Sequence, residues 1–212
     1  MSVAASSQAL ASSGGSLEFY FDLSSPYGYL AAQKIGDLAA KHGRTVNWHP
    51  LLLGVVFKHS GGAPLTEIPF KSAYAKRDIP RSARFHGVEF RMPAVFPIPT
   101  HTPARIVLWA RNQDPAAAAR AAKALYRAYF VDGRDISKPD IAAEVAGAAG
   151  FDAAQARAAV DDPAMKEALK QEVDAAIAAG VFGSPFVIVD GEQFWGLDRF
   201  DQLDRWLADR GF

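Results

Sequence analysis

A short polar turn, Ser24-Ser25-Pro26, could do chemistry through the Ser25 hydroxyl. Serine favours the N-cap of a helix and proline its first position, so the turn predicts a helix start. Helix starts present unpaired N–H groups and a partial positive charge, which stabilise an anion. The chain has no cysteine, so a reactive sulfur must arrive on a ligand. Ser25 could then donate a hydrogen bond to a bound thiolate; the plainer alternative is a helix cap alone.

The segments around this turn have the pattern of one parallel β-α-β unit. Residues 17–22 have the apolar and aromatic character of a buried strand. Apolar residues at helical spacing follow the turn as far as Gly43, and residues 45–49 predict a second strand that ends at Pro50. A strand, a helix and a strand within about 35 residues match the size of such a unit.

The middle of the chain has a different character. Residues 61–103 are rich in proline and glycine, with a helix predicted near 70–85. Alanine and charged residues dominate 102–179 and predict about four or five helices. Their predicted breaks are Asp114-Pro115, Asp132-Gly133, Lys138-Pro139, Gly150 and Asp162-Pro163.

Strand character returns near the C-terminus. Residues 186–190 and 193–195 predict a hairpin with its turn at Gly191-Glu192, and an amphipathic helix follows from about Arg199 to Ala208. Without the helical block, the element order is β-α-β-β-α. The prediction is therefore an α/β fold, a thioredoxin-like core with a large inserted all-helical domain. The predicted divisions are a flexible tail at 1–16, a thioredoxin-like domain at 17–55 and 181–212, and the helical insert at 56–180.

A second motif, Gly183-Ser184-Pro185, stands immediately before the third predicted strand. Thioredoxin-like folds place a cis peptide bond before a proline at this position, opposite the start of the first helix. The residue before the proline then exposes its backbone N–H and C=O, which can pair with a peptide ligand as an added strand would. The alternative is an ordinary trans proline in a loop.

Other kinds of function lack support in the sequence. The histidines show no metal-ligand spacing and are predicted to be surface or packing residues, so no metal is expected. Lysine plus arginine and aspartate plus glutamate balance at 23 each, so nucleic acid is not an expected partner. No apolar run approaches the roughly 20 residues of a membrane span. The N-terminus lacks the features of a targeting signal, and a cytoplasmic location is predicted.

The sequence resembles the family of 2-hydroxychromene-2-carboxylate isomerases and kappa-class glutathione transferases from about Leu17 to the C-terminus. It departs from the family pattern at three positions. Relatives often carry Asn in place of Gly62, Ser or Asn in place of Leu197, and Arg in place of His49. The residues that carry the resemblance are Phe21-Asp22-Leu23-Ser24-Ser25-Pro26-Tyr27, Pro50-Leu51-Leu52-Leu53-Gly54, Pro69-Phe70-Lys71 with Tyr74 and Asp78, Phe182-Gly183-Ser184-Pro185 and Trp195-Gly196-Leu197-Asp198-Arg199.

The resemblance implies a homodimer that binds glutathione between the two domains. Carried over by position, Ser25 contacts the glutathione sulfur, and Ser184, ahead of a cis-Pro185, pairs with the backbone of its cysteinyl residue. Lys71 meets a carboxylate of glutathione, and Asp198 meets the γ-glutamyl amine. Taken alone, Lys71 and Asp198 are better explained as a solvated helix residue and a cap of the last helix.

The resemblance also implies an activity, the glutathione-dependent isomerisation of 2-hydroxychromene-2-carboxylate or a similar aromatic keto acid in aromatic-compound degradation. The thiolate adds reversibly to the conjugated substrate, a bond rotates, and elimination restores the isomer with glutathione unchanged. Lys71, Arg77 and Arg84 are candidates to hold the substrate carboxylate. The alternatives are a kappa-like transferase or peroxidase that consumes glutathione, or a non-catalytic thioredoxin-like binding protein.

Overall fold

The computed structural model describes residues 15–209 and 211–212 and centres on a mixed sheet with strand order β2-β1-β3-β4. β1 pairs parallel with β2 and antiparallel with β3, which pairs antiparallel with β4. The fold is thioredoxin-like, as the element order predicted. Most of the predicted flexible tail lies outside the described residues. The strands are β1 (Ser16–Phe21), β2 (Thr45–Pro50), β3 (Phe186–Val189) and β4 (Glu192–Trp195).

Helices account for most of the remaining described chain. A short 3-10 helix, Leu197–Arg199, precedes the last of them. None of the helices within the described residues has both the length and the apolar character needed to cross a bilayer. The α-helices are α1 (Pro26–Ala32), α2 (Ile35–Lys41), α3 (Leu53–Ser60), α4 (Lys71–Phe85), α5 (His101–Gln113), α6 (Pro115–Phe130), α7 (Pro139–Ala148), α8 (Ala153–Asp161), α9 (Pro163–Ala178) and α10 (Phe200–Asp209).

The helices of the middle region begin where the sequence predicts. Asp114 and Asp162 each accept a backbone N–H in the first turn of the helix that follows, and each precedes a proline at the first helical position. The predicted run of helices is confirmed as α5 to α9. α3 is not in the prediction, because Leu52 gives no side-chain cap and the apolar residues after it suit a strand equally well.

One hydrophobic cluster joins the sheet to the helices. It contains Leu17, Phe19 and Phe21 of β1 together with Leu125 and Tyr126 of α6, all of them inaccessible to solvent. Burying a large apolar side chain contributes about 1.5–3 kcal/mol, so this shared cluster fixes the helices on the sheet. The division of the chain into two domains stays a prediction, since the cluster spans both parts.

The hairpin between β3 and β4 turns one residue earlier than predicted. Asp190 and Gly191 have φ angles of 51° and 84°, and Glu192 is already the first residue of β4. Two central residues with positive φ match the twist of the flanking strands, which is why Asp-Gly forms such turns.

His49 belongs to an ionic cluster on the sheet. Its Nε2 lies 2.6 Å from Glu18 Oε2, its Nδ1 lies 2.5 Å from Glu172 Oε1, and its ring stacks on Tyr20. Arg111 donates two hydrogen bonds of 2.7 Å to Glu172. Burial raises the pKa of Glu172, but the hydrogen bonds from Arg111 and His49 outweigh it and bring the value to about 2. His49 is thus a structural residue, and it does not line the cavity described below.

Candidate active site

A cavity of about 1740 Å³ opens where the first helix starts. Its walls come from the β1–α1 turn (residues 22–26), from α3, from α4, from the segment before α5, and from the cis-proline loop (residues 182–185). The predicted site residues all line it: Ser25, Lys71, Ser184, Pro185 and Asp198. Residues about 160 positions apart in the sequence therefore face one space, as a thioredoxin-like fold requires.

Ser25 is the N-cap of α1, and its side chain bridges two parts of the site. Its Oγ accepts the Gly28 N–H at 3.0 Å, and its hydroxyl donates to the carbonyl oxygen of Ser184 at 3.0 Å. The side chain is nearly buried. The prediction that Ser25 caps the helix is confirmed, while its hydroxyl proton points to Ser184 and not into the cavity.

The Ser184–Pro185 peptide bond is cis, as predicted from the proline that opens β3. The Ser184 carbonyl is occupied by Ser25, but within the described residues the Ser184 N–H makes no hydrogen bond. One of the two backbone groups predicted to face a ligand is therefore available. A second cis bond, Phe96–Pro97, lies in the wall before α5 and was not predicted.

Lys71 and Asp198 stand at the exposed rim of the cavity. Lys71 is the first residue of α4, and among the described residues it makes no ion pair. Asp198 lies in the 3-10 helix after β4, where Arg199 contacts it at 3.1 Å. Arg77 and Arg84, the other candidates for the substrate carboxylate, do not line the cavity. The face of α4 that lines the cavity carries Tyr74, Asp78 and Ser82 instead.

A cluster of polar side chains ties α1 to α4 beside Pro26. Tyr27 donates a hydrogen bond of 2.6 Å to Asp78 Oδ2, and Tyr74 donates one of 3.0 Å to Asp78 Oδ1. Arg81 forms an ion pair with the same carboxylate. Burial and the Asp78 carboxylate raise the pKa of Tyr27. Tyr27 is therefore neutral, and it holds α4 in place next to the helix start.

Two histidines also line the cavity, although the sequence predicted only surface or packing roles. Burial lowers the pKa of His86, and Lys34 lowers it further. Burial and Arg105 lower the pKa of His101. Both imidazoles are thus uncharged at neutral pH and can donate or accept a hydrogen bond inside the cavity. Their positions depend on contacts between distant segments, which the spacing of histidines along the chain does not reveal.

Asp22 is the site residue that sequence reasoning missed. Its side chain is wholly buried behind the β1–α1 turn, where Ser24 N–H and Leu53 N–H each donate to it at 2.7 Å. Burial raises its pKa to about 6, while these hydrogen bonds and one from Thr100 act in the opposite direction. The one feature of the sequence that could have indicated Asp22 is an acidic residue directly after a predicted buried strand, because a buried aspartate almost always has partners.

Comparison with known proteins identifies the family of this chain. A DSBA-like thioredoxin domain model matches residues 16–208, so the protein belongs to the DsbA-like thioredoxin class. A 2-hydroxychromene-2-carboxylate isomerase of Sphingobium xenophagum is 33% identical over 197 residues, covering 91% of this chain and 98% of the relative. A kappa 2 glutathione transferase of Caenorhabditis elegans is 27% identical, covering 91% and 92%.

A solved structure of a 2-hydroxychromene-2-carboxylate isomerase superposes with a TM-score of 0.83 at 26% identity, covering 92% of this chain and 95% of that one. The chain belongs to the family of 2-hydroxychromene-2-carboxylate isomerases and kappa-class glutathione transferases. It is an enzyme of that family.

Proposed function

We propose that this enzyme is a glutathione-dependent isomerase of 2-hydroxychromene-2-carboxylate or a similar aromatic keto acid. The observation that carries the proposal is Ser25, a hydroxyl at a helix start in a chain without cysteine. A hydroxyl there can hold the sulfur of another molecule but cannot form a disulfide. The similarity to isomerases over nearly the whole chain supports the reaction type.

The lining of the cavity fits glutathione. The Ser184 N–H, which has no partner in the described chain, suits the backbone carbonyl of the cysteinyl residue. Lys71 suits a carboxylate and Asp198 suits the γ-glutamyl amine. Pro185 lines the same wall, and the available volume exceeds what a tripeptide needs. These residues would hold the molecule with its sulfur toward Ser25.

Ser25 would act by redirecting one proton. The Gly28 N–H donates to Ser25 Oγ and keeps the oxygen in place, so the hydroxyl proton moves by rotation about the Cβ–Oγ bond. Rotation breaks the hydrogen bond to Ser184 and turns the proton toward the cavity. Near the positive end of α1, this donor stabilises a thiolate over a thiol.

The substrate would occupy the part of the cavity between α3 and α5. Leu52, Val55 and Ile98 give that part apolar walls, and His86 and His101 give it polar groups. When bound, glutathione supplies a thiolate nucleophile that adds reversibly to the conjugated carbon framework of the substrate. The uncharged imidazoles can donate hydrogen bonds to substrate oxygens. Of Lys71, Arg77 and Arg84, only Lys71 lines the cavity, so it would meet the substrate carboxylate as well as the carboxylate of glutathione.

The test follows 2-hydroxychromene-2-carboxylate spectroscopically with and without glutathione, for the wild type and for Ser25→Ala. We expect isomerisation that requires glutathione and falls by about 10²-fold in the variant, as for the loss of one hydrogen bond to developing charge. A folded variant as fast as the wild type would show that Ser25 does not act on the sulfur.

A transferase or peroxidase that consumes glutathione is the second candidate, favoured by the similarity to kappa-class transferases. Conjugation of a model electrophile without isomerisation would support it. A non-catalytic binding protein is the third candidate. It would catalyse neither isomerisation nor conjugation. If glutathione produced no thermal shift, that result would also argue against the glutathione site itself.

The proposal extends to the setting of the enzyme. We propose that it works in the cytoplasm in aromatic-compound degradation and that it forms a homodimer. Sedimentation equilibrium across a range of protein concentrations tests the dimer, because a monomeric mass throughout would contradict it.

A further inference from the structure

We propose that Asp22 is a positioning residue for the candidate site: it holds the segments that carry Ser25 and Ser184 in one arrangement. The inference rests on the proposed function for its consequence in glutathione binding. The contacts that support it are independent of that function. Asp22 would touch neither the sulfur nor the substrate, and it would act through the two serines.

The carboxylate of Asp22 joins three walls of the cavity. Its Oδ1 accepts the Ser24 N–H at 2.7 Å, which closes the β1–α1 turn. Its Oδ2 accepts the Leu53 N–H at 2.7 Å, so it caps the start of α3, where Leu52 gives no side-chain cap. The Thr100 side chain, next to α5, makes a further hydrogen bond to it.

The backbone of Asp22 reaches both serines. Its N–H donates to Ser184 Oγ at 3.0 Å, and its carbonyl oxygen accepts the Ser25 N–H at 2.8 Å. The hydroxyl of Tyr126 on α6 also donates to this carbonyl, at 2.8 Å. A single residue therefore connects the helix start, the cis-proline loop and the starts of α3 and α5.

The two N–H groups that donate to Asp22 are best satisfied by its carboxylate form. Ser24 and Leu53 each need an acceptor oxygen, and a carboxylate offers two, whereas an amide offers one oxygen and one NH₂. A protonated carboxyl likewise offers one free oxygen and one O–H. The contacts therefore require the charged form, although burial without a cation opposes it.

The titratable groups around Asp22 are few. From α6, Tyr126 and Tyr129 face it, and burial raises the pKa of both. The contacts from α3 and α5 are an amide and a hydroxyl. Because burial raises the pKa of Asp22 to about 6, mild acid would protonate it, and one of the two N–H groups would lose its carboxylate acceptor. Protonation also removes the cost of a buried charge, so we expect the β1–α1 turn to change its geometry without opening more readily.

The binding test uses S-methylglutathione, which has no thiol to titrate, and isothermal calorimetry between about pH 5 and about pH 7.5. For the wild type we expect Kd to rise on acidification. For Asp22→Asn we expect Kd at neutral pH to be about tenfold higher, as for a small misplacement of binding groups, with a weaker pH dependence. His86 and His101 account for whatever pH dependence remains in the variant.

Tyr29→Phe is the matched control. It removes the hydrogen bond of 2.7 Å from the buried Tyr29 side chain to the Glu89 carbonyl, and this side chain makes no hydrogen bond to Ser25 or Ser184. Its Kd should equal that of the wild type. If Asp22→Asn binds S-methylglutathione as tightly as the wild type over the whole pH range, the positioning role is wrong.

A second measurement needs no ligand and no variant. The backbone amide resonances of Ser24 and Leu53 in the wild type should titrate together near about pH 6, because both N–H groups donate to the Asp22 carboxylate. Resonances that do not shift between neutral pH and about pH 5 would overturn the inference. Failure of the wild type to bind S-methylglutathione, with the joint titration of the two amides intact, would refute the proposed function and leave the role of Asp22 supported.

Discussion

The hydroxyl oxygen of Ser25 lies 3.0 Å from the carbonyl oxygen of Ser184. This hydrogen bond joins the first helix to the loop before β3, and it occupies the proton that a bound sulfur would need. The partner N–H of Ser184 is unoccupied in the described chain. The site therefore has one donor that is ready for a ligand, the Ser184 N–H, and another that must rotate, the Ser25 hydroxyl.

Replacing Ser25 with cysteine tests where a ligand sulfur lies. The introduced thiol would lie at the N-terminus of α1, so we expect its pKa to fall below the usual value of about 8.5. Oxidised glutathione should form a mixed disulfide with it, and S-methylglutathione should block that reaction. Mass spectrometry detects the added group.

Asp152→Cys is the control for this experiment. Asp152 is also an N-cap, of α8, but it is exposed and lies outside the cavity. Its disulfide formation should proceed equally with or without S-methylglutathione. Equal blocking of both variants, or of neither, would contradict the proposed position of the sulfur.

Gly28 provides a test of packing behind Ser25. A Cβ at this position would lie 2.6 Å from Tyr126 Oη and 2.7 Å from Ser184 Oγ, and Tyr126 is fully buried. We expect Gly28→Ala to lower the free energy of unfolding by about 1–3 kcal/mol, as overpacking does. Urea unfolding measures the change.

The matched substitution is Gly36→Ala in α2, where nothing lies within 4 Å of the added Cβ. There alanine should raise the free energy of unfolding by about 0.5–1 kcal/mol, because glycine is costly inside a helix. Similar effects at both positions would mean that close contact with Tyr126 does not explain Gly28.

Features that depend on neighbouring residues could be predicted from the sequence, whereas contacts between distant residues could not. Ser25 and Pro26 predict a helix start because capping involves residues a few positions apart, and Asp114-Pro115 predicts a helix boundary for the same reason. The thioredoxin-like element order then placed Ser184 opposite them. The role of Asp22 escaped prediction, because its partner Leu53 is 31 positions away and an acidic residue after a buried strand does not show which N–H groups it meets.

Lys71 should contribute charge and not structure. It is exposed at the start of α4, so Lys71→Ala should leave the free energy of unfolding within about 0.5 kcal/mol of the wild type. Loss of one charged contact at an exposed site should raise the Kd of glutathione by about tenfold. The difference from the wild type should shrink at high ionic strength.

Lys76→Ala is its control, with the same charge change on the same helix but outside the cavity lining. Its glutathione affinity should be unchanged. If both variants bind equally weakly, then the net charge of α4 matters and no specific contact with Lys71 is needed.

Glu172 should make the ionic cluster around His49 sensitive to acid. Its pKa in the folded protein is about 2, below its ordinary value of 4.5, so its contribution to stability is complete above about pH 4.5 and is lost as the pH falls toward 2. Glu172→Gln should lower the free energy of unfolding by on the order of 2 kcal/mol at neutral pH, since Arg111 and His49 lose a charged partner. The variant should lose less stability on acidification than the wild type does.

Glu144→Gln is the control. Its ion pair with Arg134 is exposed, so this substitution should change the free energy of unfolding by less than about 0.5 kcal/mol. Urea unfolding of the wild type and both variants over this pH range measures the two effects. If the free energy of unfolding falls equally with pH for the wild type and for Glu172→Gln, the cluster around His49 is not responsible for the loss of stability in acid.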